Sequence, residues 1–75
     1  MKIKILVSFK EGVFDPEGDT IRRTLHNLGY EEVRDIRVKK IFELDIDEDK
    51  HDKKRIEEIA SDILSNPVIE DWEIL

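Results

Sequence analysis

The side chains best suited to chemistry are few and badly spaced for it. His26 and His51 are the only histidines and there is no cysteine. The two histidines do not lie at i+3 or i+4 from each other, so they cannot share a metal on one helical face, and both are expected to be surface residues. No serine has a histidine and carboxylate arranged around it as nucleophilic catalysis requires. Asp45, Asp47 and Asp49 imitate the first ligands of a calcium loop. The sixth position of that loop is Lys50 instead of glycine and the twelfth is Ile56 instead of glutamate, so a solvated turn is expected. Gly12 and Gly18 bracket the stretch EGVFDPEGDT, residues 11 to 20. A glycine-rich strand-to-helix turn can cradle phosphate. Here, however, the GxGxxG and GK[ST] patterns are missing, and Asp15, Glu17 and Asp19 put negative charge where an anion would sit. A shaped turn and helix cap is the reading, with a docking surface as its functional variant. Arg37, Lys39 and Lys40 form one basic cluster, read as solvated charges or as a contact for an acidic partner surface. No catalytic, metal-binding or cofactor-binding residue is expected.

The elements that must position these residues follow from composition and periodicity. Seventy-five residues make a single domain, residues 1 to 75, which buries only about 60% of the surface of its unfolded chain. Without disulfides or zinc, self-association is the common remaining source of stability. A net charge of −6 with 43% charged residues argues against nucleic acid or an acidic membrane as partner. RNA recognition would further want exposed aromatics on central strands, whereas Phe9 and Phe42 share parity with the buried aliphatics. The N-terminus lacks the pattern of a signal peptide and no apolar run approaches the ~20 residues of a membrane span, so a cytoplasmic location is expected.

Ile3, Ile5, Val7 and Phe9 alternate with Lys2, Lys4 and Ser8, which predicts a strand with one buried face. Leu6 falls on the outward face, which would then be covered in part, for instance by another subunit. Asp15 and Pro16 predict a helix start, as N-cap and N1. Ile21, Leu25 and Leu28 form its apolar stripe and Gly29 its stop. Gly18 in the first turn predicts either a late start near Asp19 or close approach by another backbone. Ile36, Val38, Phe42, Leu44 and Ile46 are all even, interrupted only by Lys40. A two-residue hairpin would reverse that parity, so residues 33 to 46 are expected to form a long bent extended segment, or two strand portions joined by a three-residue turn at Lys39 to Ile41. Ile56, Ile59, Ala60, Ile63 and Leu64 predict a second helix, ended by Asn66 and Pro67. The stretch VIEDWEIL closes the chain as a strand. The predicted fold is α+β, a ferredoxin-like βαββαβ arrangement with two helices on one face of an antiparallel sheet.

Four stretches, K-x-GVFDP-x-G at Lys10 to Gly18, LHNLGY at Leu25 to Tyr30, VRDIRVKK at Val33 to Lys40 and LSNPVIEDWEI at Leu64 to Ile74, together resemble the PurS family. That family is the small subunit of phosphoribosylformylglycinamidine synthase. The resemblance covers essentially the whole chain. It implies a non-catalytic assembly subunit that forms dimers or tetramers and bridges a large ATP-dependent synthase subunit and a glutaminase subunit, supporting ammonia transfer in purine biosynthesis. ATP and magnesium would belong to the synthase partner. The family's turn motif falls on Gly12, Val13, Asp15, Pro16 and Gly18, and its C-terminal motif on Asn66, Pro67, Val68, Ile69 and Glu70. Its Arg-x-Gly-Lys falls on Arg37, Val38, Lys39 and Lys40, with lysine in place of glycine at 39, which supports the bent segment over a tight turn. Phe14 and Glu17 stand where the family often has leucine and glutamine. The partner-interface candidates are therefore Gly12, Asp15, Pro16, Gly18, Arg37, Lys39, Lys40, Asn66 and Pro67. A stand-alone ferredoxin-like module sensing an amino acid is the alternative.

Overall fold

The computed structural model describes residues 1–75. Strand β1 (Lys2–Phe9) is followed by helix α1 (Pro16–Asn27) and strand β2 (Lys40–Asp45). A single 3-10 turn (Glu48–Lys50) leads to helix α2 (Lys53–Glu58), which continues as a π-helix (Ile59–Leu64) before strand β3 (Glu70–Ile74). The sheet is antiparallel with β1 in the centre, in the order β2-β1-β3.

The predicted alternation places Ile3, Ile5 and Val7 in the core, where Ile56 and Ala60 of the second helix cover them. Phe42 and Leu44 of β2 and Trp72 and Ile74 of β3 pack against the same cluster, because each stands opposite a β1 core residue in the ladder. Removing these apolar groups from water is the main favourable contribution to folding. The predicted α+β class and antiparallel sheet are thus observed, with three differences.

The first difference is that the fourth strand is missing from the sheet. Residues 33 to 39 contain no turn and no ladder pairing. The segment runs into β2 without a hairpin, as the bent-segment reading expects. The second concerns α1, which was expected to lie on the sheet. Its close contact is Gly18, while Ile21 and Leu28 of its stripe stay exposed. The molecule consequently measures 52 × 24 × 14 Å with a radius of gyration of 16.0 Å, against about 11 Å for a compact chain of this length. The third is the π winding of residues 59–64. Its i→i+5 bonding shifts the helical phase, so Ile63, predicted for the core stripe, is 76% exposed. Ser65 closes this end, its buried hydroxyl donating to the Ala60 carbonyl at 2.8 Å.

Candidate functional site

The candidate residues converge on one carboxylate. Gly12 has φ +84°, a left-handed conformation that glycine adopts without the usual steric penalty, and it turns the chain out of β1. Asp15 then caps α1 with Pro16 at N1, and one carboxylate oxygen, Oδ1, accepts the Gly18 N–H at 2.9 Å. The other, Oδ2, accepts the Val38 N–H at 2.8 Å. One side chain therefore caps the helix and fixes a segment 23 residues away. Asp15 is only 5% exposed. The Gly18 N–H, then the Val38 N–H, hold its carboxyl below the ordinary range; burial opposes them and the charge of Arg37 assists.

Two further contacts lock the same corner. The Ile36 carbonyl lies where a side chain on Gly18 would sit, so the close approach, and not a late helix start, accounts for this glycine. Arg37 donates through Nη1 to the Val13 carbonyl at 2.7 Å and has Asp35 at 3.5 Å from its Nε. Arg37 is thus a strut between the turn and the extended segment as well as an exposed cation. Around the corner lie two open clefts of about 210 and 170 Å3, the first lined by Ser8, Lys10, Asp15, Arg37 and Lys39 among others, the second by Asp15, Pro16, Val38, Lys40 and Glu70 among others.

Asn66 and Pro67 sit in the turn before β3 and line neither cleft. Asn66 accepts the Ile69 and Glu70 N–H groups through its carbonyl and the Val68 N–H through Oδ1, and donates its own N–H to Glu70 Oε1. The turn joins the corner through Ile69, whose carbonyl accepts the Lys10 N–H at 2.9 Å. Lys10 and Glu70 were not among the sequence candidates. The signal for both was the adjoining turn chemistry, because Lys10 precedes the Gly12 turn and Glu70 follows the asparagine and proline.

The remaining polar groups serve local structure. Asp47 Oδ1 accepts the Asp49 N–H and Asp52 Oδ1 the Lys54 N–H, so these carboxylates cap the 3-10 turn and α2. His26 Nε2 meets the Val33 carbonyl at 2.6 Å and ties α1 to the loop after it. Asp19 pairs with Arg22 and Arg23 on the α1 surface, and the hydrogen bond from Arg22, with both guanidinium charges, holds its carboxyl below the ordinary range against burial.

This fold and site define a small α+β scaffold chain. Its distinctive features are a locked backbone corner, an unpaired extended segment and an uncovered helix stripe. The chain belongs to the PurS family: the family model described as PurS, Phosphoribosylformylglycinamidine (FGAM) synthase, matches residues 2–75. The phosphoribosylformylglycinamidine synthase subunit PurS of Bacillus subtilis is 40% identical over 72 residues, covering 95% of this chain and 86% of the relative. The PurS of Methanocaldococcus jannaschii is 35% identical over 75 residues, covering 97% and 90%. The solved structure of B. subtilis PurS in a C2 crystal form superposes with a TM-score of 0.89 at 39% identity, covering 99% of this chain and 94% of that one. For the crystal structure of M. jannaschii PurS the TM-score is 0.83 at 36% identity, with 99% and 92% covered.

Proposed function

We infer that this chain is a non-catalytic assembly subunit of phosphoribosylformylglycinamidine synthase in purine biosynthesis. The observation that carries the reading is the corner at Asp15, where one nearly buried carboxylate holds the start of α1 and the distant extended segment together and so fixes backbone shape. Support comes from the M. jannaschii relative, described as one of the subunits of formylglycinamide ribonucleotide amidotransferase in the purine biosynthetic pathway. The partners are a large synthase subunit, which holds ATP and magnesium, and a glutaminase subunit, which releases ammonia. The small chain bridges them and helps keep the ammonia path closed to water. It works in the cytoplasm, alongside those partners. No helix is long and apolar enough to cross a membrane.

The chain also associates with itself, as a dimer or tetramer. Favouring this are the exposed stripe of α1, the unpaired segment 33 to 39 and a shape far more extended than a 75-residue monomer normally adopts. The candidate contacts with the two partners are Gly12, Asp15, Pro16, Gly18, Arg37, Lys39, Lys40, Asn66 and Pro67.

The test is sedimentation of the purified chain with each partner and with both, alongside calorimetry against amino acids and nucleotides. A complex containing all three polypeptides is expected, with no heat from the small molecules. Tight binding of an amino acid without partner association would favour the sensor alternative and overturn this reading.

A further inference from the structure

The two clefts at the corner differ in face and in charge. Successive residues of a strand point to opposite faces. Ile3, Ile5 and Val7 face the helix that covers the core, so Ser8 and Lys10 point the other way; Lys10 continues the ladder, its N–H bonded to the Ile69 carbonyl. Phe42 and Leu44 likewise pack on the core. Ile41 therefore points away from it, and Lys39 and Arg37 continue that series along the extended segment. Ser8, Lys10, Arg37 and Lys39 all line the first cleft, whereas Val7, Pro16, Lys40, Glu17 and Glu70 line the second. The face without a helix thus collects three cations, in a chain of net charge −6.

The donors of the first cleft are largely uncommitted. Neither Lys10 nor Lys39 pairs with a carboxylate of the chain. Arg37 uses Nη1 on the Val13 carbonyl and Nε on Asp35, which leaves Nη2 free. The β1–β2 ladder stops at Val7 and Lys40, and the next β1 group on that side, the Phe9 N–H, meets no acceptor in the chain. The acids of the turn are engaged elsewhere: both Asp15 oxygens accept N–H bonds, Asp19 pairs with Arg22 and Arg23, and Glu17 lines the other cleft. Only the exposed Glu11 opposes an anion here. We propose that this cleft binds a phosphate group, as the free ion or as a small phosphate monoester. Three cations suit a dianion with several acceptor oxygens better than a carboxylate with two. The cleft's volume of about 210 Å3 lies below the ~300–1,000 Å3 of pockets that enclose a drug-sized ligand, so it holds the phosphate group and little more. Exposed charges hold it weakly, in the millimolar range, where calorimetry of a micromolar chain with nucleotides records no heat. Bound phosphate ties Lys10, at the end of β1, to Arg37 and Lys39 in a segment without a ladder partner, and so reinforces the bond from Val38 to Asp15.

The test is an amide chemical-shift titration of the full chain with sodium phosphate, with ribose 5-phosphate, and with sodium chloride at matched ionic strength. Phosphate should give saturating shifts confined to residues 8 to 12 and 37 to 39, and should slow hydrogen exchange at the Val38 amide. Tighter binding of ribose 5-phosphate would identify a monoester as the ligand, and weaker binding the free ion. Lys10→Gln and Lys39→Gln should each weaken binding about two- to fivefold, and Glu11→Gln should tighten it by a similar factor. Lys4→Gln removes the same charge from the same face of β1 outside the cleft, and should leave the dissociation constant unchanged; circular dichroism would check that each variant folds. Shifts that do not saturate, that chloride reproduces, or that spread over the whole basic surface would overturn the proposal. So would a Lys4→Gln variant that weakens binding as much as Lys10→Gln. The site is independent of the assembly role, so none of these results bears on the proposed function.

Discussion

Gly18→Ala tests the corner with one methyl group. In an ordinary helix interior this change stabilises by up to ~1 kcal/mol. Here the added Cβ would overlap the Ile36 carbonyl oxygen and stand 3.0 Å from its carbon and 3.1 Å from the Asp15 carboxyl carbon. None of these is the free end of a flexible side chain, so the extended segment must move as a unit. Overpacking of this kind costs about 1–3 kcal/mol. Loss of the hydrogen bond from Val38 that accompanies the shift adds about 1 kcal/mol. Against the propensity gain, a net loss of roughly 1–3 kcal/mol remains, which at about 4–8 °C per kcal/mol lowers the melting temperature by roughly 5–20 °C. Thermal and urea denaturation followed by circular dichroism would measure it, with Thr20→Ala as a control within the same helix. Equal or higher stability for Gly18→Ala would show that segment 33 to 39 does not rest on α1, and the account of the corner would fail.

Other substitutions separate the corner's functions. Asp15→Asn should keep the cap through its amide oxygen but cannot accept from both Gly18 and Val38 with two oxygens. Amide exchange should therefore speed up at Val38 more than at Gly18, and equal protection at both sites would contradict the shared carboxylate. Because Asp15 ionises at lower pH when folded than when unfolded, its contribution is present above its ordinary pKa near 3.8 and is lost as pH falls through the lower folded value. Wild type should lose stability on acidification in that acid range more steeply than Asp15→Asn, and parallel pH profiles would count against the assignment. Ile56→Ala should cost about 2–5 kcal/mol, while Ile63→Ala should change stability by no more than about 0.5 kcal/mol. Comparable losses in the two melts would place Ile63 in the core and remove the π winding. Arg37→Glu should weaken association with the partners more than it lowers the melting temperature, and the reverse pattern would make Arg37 a purely structural strut.

Where one element sufficed to decide the outcome, it was legible in the sequence. The parity of Ile3, Ile5 and Val7, the Asp15-Pro16 cap and the even-numbered series through Leu44 are local patterns, and the structure follows them. The resemblance carried by the GVFDP and NPVIEDW stretches named the family that the comparisons show. What could not be read depended on geometry between elements. Nothing in the spacing of Ile59 and Ile63 distinguishes α from π winding, because both keep them on neighbouring positions of one helix. Gly18 signalled a close approach without saying to what, since Ile36 is distant in sequence. The four-strand expectation treated one chain as a complete sheet, while the observed segment 33 to 39 finds no ladder partner in its own chain. Among the site candidates, Asp15, Gly18 and Arg37 are brought together, with Lys39 and Lys40 at the rims of the adjoining clefts. Asn66 and Pro67 reach the corner indirectly, through the backbone of Ile69 and through Glu70, which bonds to Asn66 and lines the second cleft.

The central claim, that shape rather than chemistry is what this chain contributes, is tested most directly by glutamine-dependent product formation in a reconstituted mixture of the synthase and glutaminase subunits. Adding the chain should raise that activity from near background to a stoichiometric plateau, while the chain alone hydrolyses no glutamine and consumes no ATP. Full glutamine-dependent activity of the two partners without it would contradict the account.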